Sequence, residues 1–93
     1  MTILIDEPVW PAHGLHWAHL VSDESLEELH NFAVSLGIPS RGFHQDHYDV
    51  PAELVEKALA LGATKVGAKE LLTRLVSAGL RVRRMRNDGL EIG

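Results

Sequence analysis

The sequence predicts a single small α/β domain with a short, mostly parallel sheet, about three helices and a C-terminal β-hairpin. Two observations favour this class. Short apolar runs alternate with segments whose apolar residues recur at helical spacing, an order typical of α/β domains. The chain has 93 residues, of which 45% are hydrophobic and 24% are charged, which suits one packed core with little room for a second domain. We therefore expect residues 1–93 to form one domain.

The first predicted strand is the β-branched, apolar run over residues 2–5, which ends where Asp6 opens a loop. The segment 6–21 holds two prolines and a glycine among histidines and the aromatic residues Trp10 and Trp17. We expect this segment to be mostly loop, with one helical turn.

A first helix is predicted over about residues 23–36, because apolar residues recur there at helical spacing. Ser25 and Glu28 match a capping box, and Asp23 offers another cap oxygen. Gly37 supplies the residue that ends the helix. A short strand is expected near residues 41–45.

Pro51 suits the first turn of a second helix, which Gly62 ends. A short strand is then predicted over 64–66, and a third helix over about 68–78. Residues 80–93 form the predicted C-terminal hairpin, because the Asp88-Gly89 pair readily adopts a tight turn.

The composition limits the kinds of site that the chain can build. With no cysteine, any metal must be held by nitrogen and oxygen ligands, which suits one divalent zinc, manganese or iron ion. No apolar run reaches the ~18 residues that a membrane span needs, and the N-terminal residues lack the features of a signal peptide. We therefore expect a cytoplasmic protein without a membrane segment.

The net charge of −4, from 9 basic and 13 acidic residues, argues against a surface that binds nucleic acid. Positive charge gathers instead at Arg81, Arg83, Arg84 and Arg86, which either contact phosphate or protect an edge strand. The expected ligand is an anionic small molecule. A homodimer is a further expectation, because small domains often gain stability by self-association.

The densest polar cluster spans residues 44–49, where imidazoles and carboxylates lie close together. In an extended strand His47 and Asp49 face the same side, as two metal ligands would. A structural interpretation stays open, in which Asp49 caps the next helix and the histidines are solvated. Asp6, directly after the first strand, stands where many α/β enzymes place a metal-binding or catalytic carboxylate.

Several short segments fall in a recognisable order along the chain. They are Ile3-Leu4-Ile5-Asp6, Ala18-His19-Leu20, Ser22-Asp23, Glu28-Leu29-His30, His47-Tyr48-Asp49 and Gly62-Ala63. Over about residues 1–80 this order resembles the domain-of-unknown-function family 4031 of small bacterial and phage proteins. The resemblance implies no reaction, but it singles out seven polar positions: Asp6, His19, Asp23, His30, His47, Tyr48 and Asp49.

The leading hypothesis is a His/Asp pocket that binds a divalent metal and hydrolyses a phosphoester. His19, His47 and Asp49 are the predicted metal ligands. Asp6 is either a further ligand or the base that activates water.

The remaining positions have supporting roles in this hypothesis. Tyr48 donates to the substrate, and Asp23 and His30 orient the ligands from behind. The alternative is a non-enzymatic accessory or protein-interaction module, in which the same polar residues are structural. Trp10, Trp17 and the arginine hairpin then contact the partner.

Overall fold

A computed structural model describes residues 2–12 and 14–80 of the chain. Two single-turn 3₁₀ helices, at Ser40–Gly42 and Ala52–Leu54, join the main elements. The strands are β1 (Ile3–Ile5), β2 (Trp10–Ala12), β3 (Leu15–Ser22), β4 (Phe43–His44), β5 (His47–Pro51) and β6 (Thr64–Lys65), and the helices are α1 (Leu26–Leu36), α2 (Val55–Ala60) and α3 (Ala68–Ser77).

The strands form one sheet in the order β4-β5-β3-β1-β6, and β2 also pairs with β3. Strand β3 is the centre of this sheet, because its eight residues are long enough to pair with three neighbours. One edge of β3 pairs with β2 and then with β1, and the other edge pairs with β5. Strands β1 and β2 therefore pair with the same edge of β3, and the segment between them leaves a gap in the pairing along that edge.

The prediction of a mostly parallel sheet is wrong. Among the described strands only β1 and β6 run parallel, and the other four pairs are antiparallel. The main reason is that the predicted loop over 6–21 contains the hairpin β2–β3, which turns at Gly14 with a φ of 76°. Strands joined by such short connections can only pair antiparallel, because a parallel pair needs a long crossover.

A second hairpin, β4–β5, lies where the sequence predicts a single short strand near residues 41–45. Gln45 has a φ of 61° and the Asp46 N–H donates to the His44 carbonyl at 2.6 Å, the geometry of a tight γ-turn. Pro51 consequently ends a strand rather than beginning a helix. The second helix, α2, begins four residues later at Val55.

The three predicted helices are confirmed, with shifted starts for the first two. Helix α1 begins after Ser25, whose hydroxyl accepts from the Glu28 N–H at 3.1 Å. It ends at Gly37, which has a φ of 94° and donates its N–H to the Ala33 carbonyl. Helix α3 and strand β6 lie within a residue of their predicted bounds.

The helices cover the two faces of the sheet unequally. Helices α1 and α2 bury one face in a core that includes Ile5, Leu20 and Val50. Helix α3 covers the other face near β1, where Leu71 and Leu75 pack on Leu4 and Val21. The rest of this second face, on β2, β5 and the first half of β3, carries exposed or half-buried side chains.

The predicted C-terminal hairpin at 80–93, with its arginines, lies outside the described residues apart from Leu80. None of the helices in the described part of the chain has the length and apolar character that a bilayer crossing requires.

Candidate functional site

Three side chains with metal-ligand chemistry meet on the partly covered face of the sheet. His19 on β3 lies directly opposite Asp49 on β5, and His47 is two residues before Asp49 on the same face. One possible ligand atom from each residue lies within 4.8 Å of the other two. The ring centroids of His19 and His47 are 5.1 Å apart, and His47 Nε2 is 3.3 Å from Asp49 Oδ1.

A buried carboxylate fixes the first of these histidines. Asp6 is 1% exposed and follows β1 directly, in the gap between β1 and β2 along the edge of β3. Its Oδ1 accepts from the His19 backbone N–H at 2.6 Å, and its Oδ2 is 2.9 Å from His19 Nδ1. Because a carboxylate can only accept, Nδ1 carries the proton, and Nε2 is the nitrogen with which His19 would bind a metal.

A second buried carboxylate fixes the other histidine in the same way. Asp46, 4% exposed, has its Oδ1 2.9 Å from His47 Nδ1. The γ-turn at Gln45 bends the chain so that Asp46 and His47, although adjacent in sequence, bring their side chains together. The Nε2 of His47 therefore points toward the side of Asp49.

Two imidazoles and one carboxylate form the donor set of many catalytic zinc sites and of mononuclear iron sites. Three protein ligands leave coordination positions for water or substrate. Space for them exists on both sides of the cluster. A cavity of about 170 Å³ lies toward α3, and an open cleft of about 690 Å³ lies toward Trp10, Trp17 and Arg41.

Comparison with protein-family models matches residues 3–78 to the family described as a protein of unknown function (DUF4031). The chain belongs to this family. The matched residues include all the described strands and helices and every residue of the site. The family resemblance predicted from the sequence is therefore confirmed. No curated protein and no solved structure matches the chain.

Tyr48 and His30 lie on the opposite face of this DUF4031 domain. Tyr48 alternates with His47 and Asp49 along β5, and its side chain is in the core beneath α1. The Tyr48 hydroxyl is 2.7 Å from His30 Nδ1, and both rings pack against Phe43. Burial raises the pKa of Tyr48 above its ordinary value. The two residues thus form a pair with each other, separated from the His19 cluster by the sheet.

Asp23 joins the end of β3 to α3 rather than touching the cluster. Its Oδ1 accepts from the Thr2 N–H at 2.9 Å, and its Oδ2 pairs with the Arg74 guanidinium. Burial acts to raise the pKa of Asp23, but the Thr2 hydrogen bond and Arg74 outweigh it and hold that pKa below its usual value.

The sequence did not predict the roles of four residues at this site of the DUF4031 domain: Asp46, Trp10, Trp17 and Arg41. Alternation along a strand predicts that the side chain of Asp46 faces away from that of His47. The γ-turn at Gln45 breaks this alternation, and the sequence did not predict the turn. The only signal for Asp46 was its position beside His47. Trp10, Trp17 and Arg41 were not predicted to line the site, since a cleft formed by distant segments leaves no local pattern.

Proposed function

We propose that His19, His47 and Asp49 bind a divalent metal, one of zinc, manganese and iron, and that this site hydrolyses a phosphoester. The observation that carries the proposal is the pair of buried carboxylates, Asp6 and Asp46, each hydrogen-bonded to the Nδ1 of a ligand histidine. Such carboxylate–histidine pairs fix ring orientation and raise the basicity of the other nitrogen, as metal sites require.

The cost of burying these carboxylates supports a functional interpretation. An ionised carboxylate taken out of water must be compensated by hydrogen bonds or by a nearby positive charge. Asp6 and Asp46 each have a hydrogen bond to the Nδ1 of one of the two histidines. A divalent cation at the Nε2 side would stabilise both carboxylates through the two rings.

Hydrolysis adds water across the ester bond: the water oxygen bonds to phosphorus, the P–O bond to the alcohol breaks, and the alcohol leaves with a proton. A metal in this site supplies Lewis-acid and water-activating chemistry. His19 and His47 hold it with fixed rings, and Asp49 completes the ligand set. Both oxygens of Asp6 bind His19, so we assign Asp6 to orienting that ring rather than to accepting a proton from water.

One positively charged side chain in the cleft, beside the carboxylate of Asp49, suits an anionic substrate. Arg41 lines the cleft together with the three proposed ligands. Its guanidinium makes no ion pair with any residue in the described part of the chain, so its donors are available to a phosphate group.

The first experiment is elemental analysis of untagged protein purified without chelator, together with thermal unfolding after addition of zinc, manganese or iron(II). We expect about one metal per chain in the wild type, and loss of that metal in His47→Ala. His16→Ala is the matched control, because His16 is exposed on β3 and alternates to the face opposite His19. Equal metal content in wild type and His47→Ala would contradict the proposed ligand set.

The hydrolytic part is tested separately with p-nitrophenyl phosphate and bis(p-nitrophenyl) phosphate. We expect turnover in the metal-loaded protein that a chelator abolishes and that Arg41→Gln weakens through KM. If the metal-loaded protein hydrolyses neither ester, the proposed reaction is wrong, but the proposed metal site is not contradicted.

A second candidate function is the protein-interaction module, and the β2–β3 hairpin favours it. Val9, Trp10 and Leu15 are exposed apolar residues on or beside this hairpin, and contiguous exposed apolar patches often mark interfaces. Light scattering of wild type and Leu15→Glu tests self-association through the hairpin. A dimer that Leu15→Glu converts to a monomer would support this candidate, and a monomeric wild type would exclude a homodimer.

A further inference from the structure

We propose that the cleft beside the His19 cluster binds a mononucleotide, a ligand that joins an aromatic base to a phosphate ester. The inference deepens the proposed function by naming its substrate class, and its phosphoester part rests on that function. Three features of the cleft support it: a pair of indole rings, a guanidinium without an ion pair among the described residues, and a volume larger than a phosphate ion needs.

Trp10 and Trp17 are cross-strand neighbours on the face that carries the metal-ligand cluster. Trp10 on β2 is the register partner of Trp17 on β3. Trp17 is two residues before His19 on the same strand, so their side chains share a face. The Trp10 ring meets the His19 ring edge to face, with centroids 5.2 Å apart. The aromatic wall of the cleft therefore continues directly into the cluster.

Trp10 offers exposed apolar ring surface, and the polar group of the Trp17 ring is already bonded within the protein. The Trp17 Nε1–H already donates to the Ala12 carbonyl at 3.0 Å. Trp10 is 49% exposed although it is among the largest apolar side chains in the chain. A planar base stacked on this ring would bury that surface, and base–aromatic stacking is a common and sequence-tolerant mode of nucleotide recognition.

Arg41 lines the same cleft as the two tryptophans. Arg41 belongs to the 3₁₀ turn after α1, and the proposed ligands His19, His47 and Asp49 line the cleft with it. A phosphate held by Arg41 would therefore lie in the cleft that the metal site adjoins. The fork of the guanidinium suits two phosphate oxygens at once.

The volume of the cleft matches a ligand of this size. About 690 Å³ falls within the ~300–1,000 Å³ typical of small-molecule sites. Inorganic phosphate would leave most of the cleft empty, whereas a mononucleotide fills both its aromatic and its charged parts.

Tryptophan fluorescence tests the inference directly, because the chain has two tryptophans and both line the cleft. Metal-loaded protein is mixed with AMP, ribose 5-phosphate or inorganic phosphate in a stopped-flow instrument, so that binding is read before turnover. We expect AMP to quench the fluorescence and to bind at least about tenfold more tightly than ribose 5-phosphate.

Two variants separate the base from the phosphate. Trp10→Leu is expected to remove the preference for AMP while keeping the affinity for ribose 5-phosphate and the metal content. Arg41→Gln is expected to weaken both ligands about tenfold and to keep their ratio. Lys57→Gln on α2 is the charge-matched control, since α2 packs on the opposite face of the sheet, and it should change neither affinity.

The possible outcomes distinguish this inference from the proposed function. Equal affinities for AMP and ribose 5-phosphate would overturn it, even if metal binding and hydrolysis are observed. An oligonucleotide that binds far more tightly than AMP, with steep salt dependence, would also overturn it in favour of nucleic-acid binding. If the protein binds no metal but still prefers AMP in a way that depends on Trp10, the result would support nucleotide binding and contradict the proposed hydrolysis.

Discussion

The carboxylate of Asp6 binds His19 twice, through the backbone N–H at 2.6 Å and through ring Nδ1 at 2.9 Å. The first bond replaces a missing bond of the strand ladder, because β1 ends one residue before Asp6. The second bond sets the orientation and tautomer of the ring. One buried side chain therefore fixes both the strand and the ligand that the strand carries.

Asp6→Asn is expected to lower metal affinity about 10- to 100-fold. The amide oxygen can still accept from the His19 backbone N–H. The amide NH₂ group is a donor, so it favours the His19 tautomer whose Nδ1 accepts and whose proton is on Nε2. Competition with a chromogenic chelator measures the affinity. Asp49→Asn is the comparison, since it changes an exposed ligand without touching the His19 ring, and an unchanged affinity in Asp6→Asn would refute the role of Asp6.

Gln45→Gly is expected to stabilise the protein by about 1 kcal/mol, because glycine adopts a positive φ without the steric cost that a side chain carries. Urea unfolding of wild type and variant measures the difference. Gln45→Ala is the control, as alanine retains the Cβ and should give no such gain. A loss of stability in Gln45→Gly would show that the γ-turn depends on the glutamine side chain.

Asp23→Asn is expected to make the free energy of unfolding less dependent on pH in the acidic range. The pKa of Asp23 is lowered in the folded state, so the unfolded chain binds its proton first and the stabilisation, present above the ordinary pKa of 3.8, is lost as the pH falls through the folded value. The pair with Arg74 is partly exposed, and its loss should cost about 1 kcal/mol at neutral pH.

Urea unfolding between pH 2 and pH 7 checks this expectation. Glu53→Gln, which changes an exposed carboxylate before α2, serves as the control and should leave the curve unchanged. If Asp23→Asn has the same slope below pH 4 as the wild type, the acid sensitivity arises elsewhere.

Tyr48→Phe is expected to lower the free energy of unfolding by about 1–2 kcal/mol and to leave metal affinity unchanged. The variant removes the hydroxyl that bonds His30 Nδ1 and leaves a half-buried ring nitrogen without that bond. Thermal unfolding and metal analysis of the same sample measure both effects. A stable, metal-loaded Tyr48→Phe that has lost phosphoester hydrolysis would instead support the role of Tyr48 as a substrate donor.

The elements that the sequence predicts well are those with a local cause. Helix α1 follows from its apolar spacing, its cap at Ser25 and its end at Gly37. The shared side of His47 and Asp49 follows from the two-residue period of a strand. Both features depend on residues within one helix or one strand, so one sequence suffices to predict them.

The parts that could not be predicted depend on pairing between distant segments. The short strand Trp10–Ala12 contains a proline and is exposed throughout, so neither composition nor alternation reveals it. The approach of His19 to Asp49 depends on the register of β3 against β5, which precede and follow α1 in the chain. No local pattern encodes that register, and the direction of the sheet was mispredicted for the same reason.

The parallel pairing of β1 with β6 has a consequence for the order in which the domain folds. It consists of two register pairs, Leu4 with Thr64 and Ile5 with Lys65, and it closes a far longer loop than either hairpin does. Loop closure of this length is entropically costly and slow, so we expect the hairpins to form early and β6 with α3 to dock last. In the native state the same segment should open first, and amide hydrogen exchange should therefore be fastest, among the hydrogen-bonded N–H groups of the sheet, at Val66.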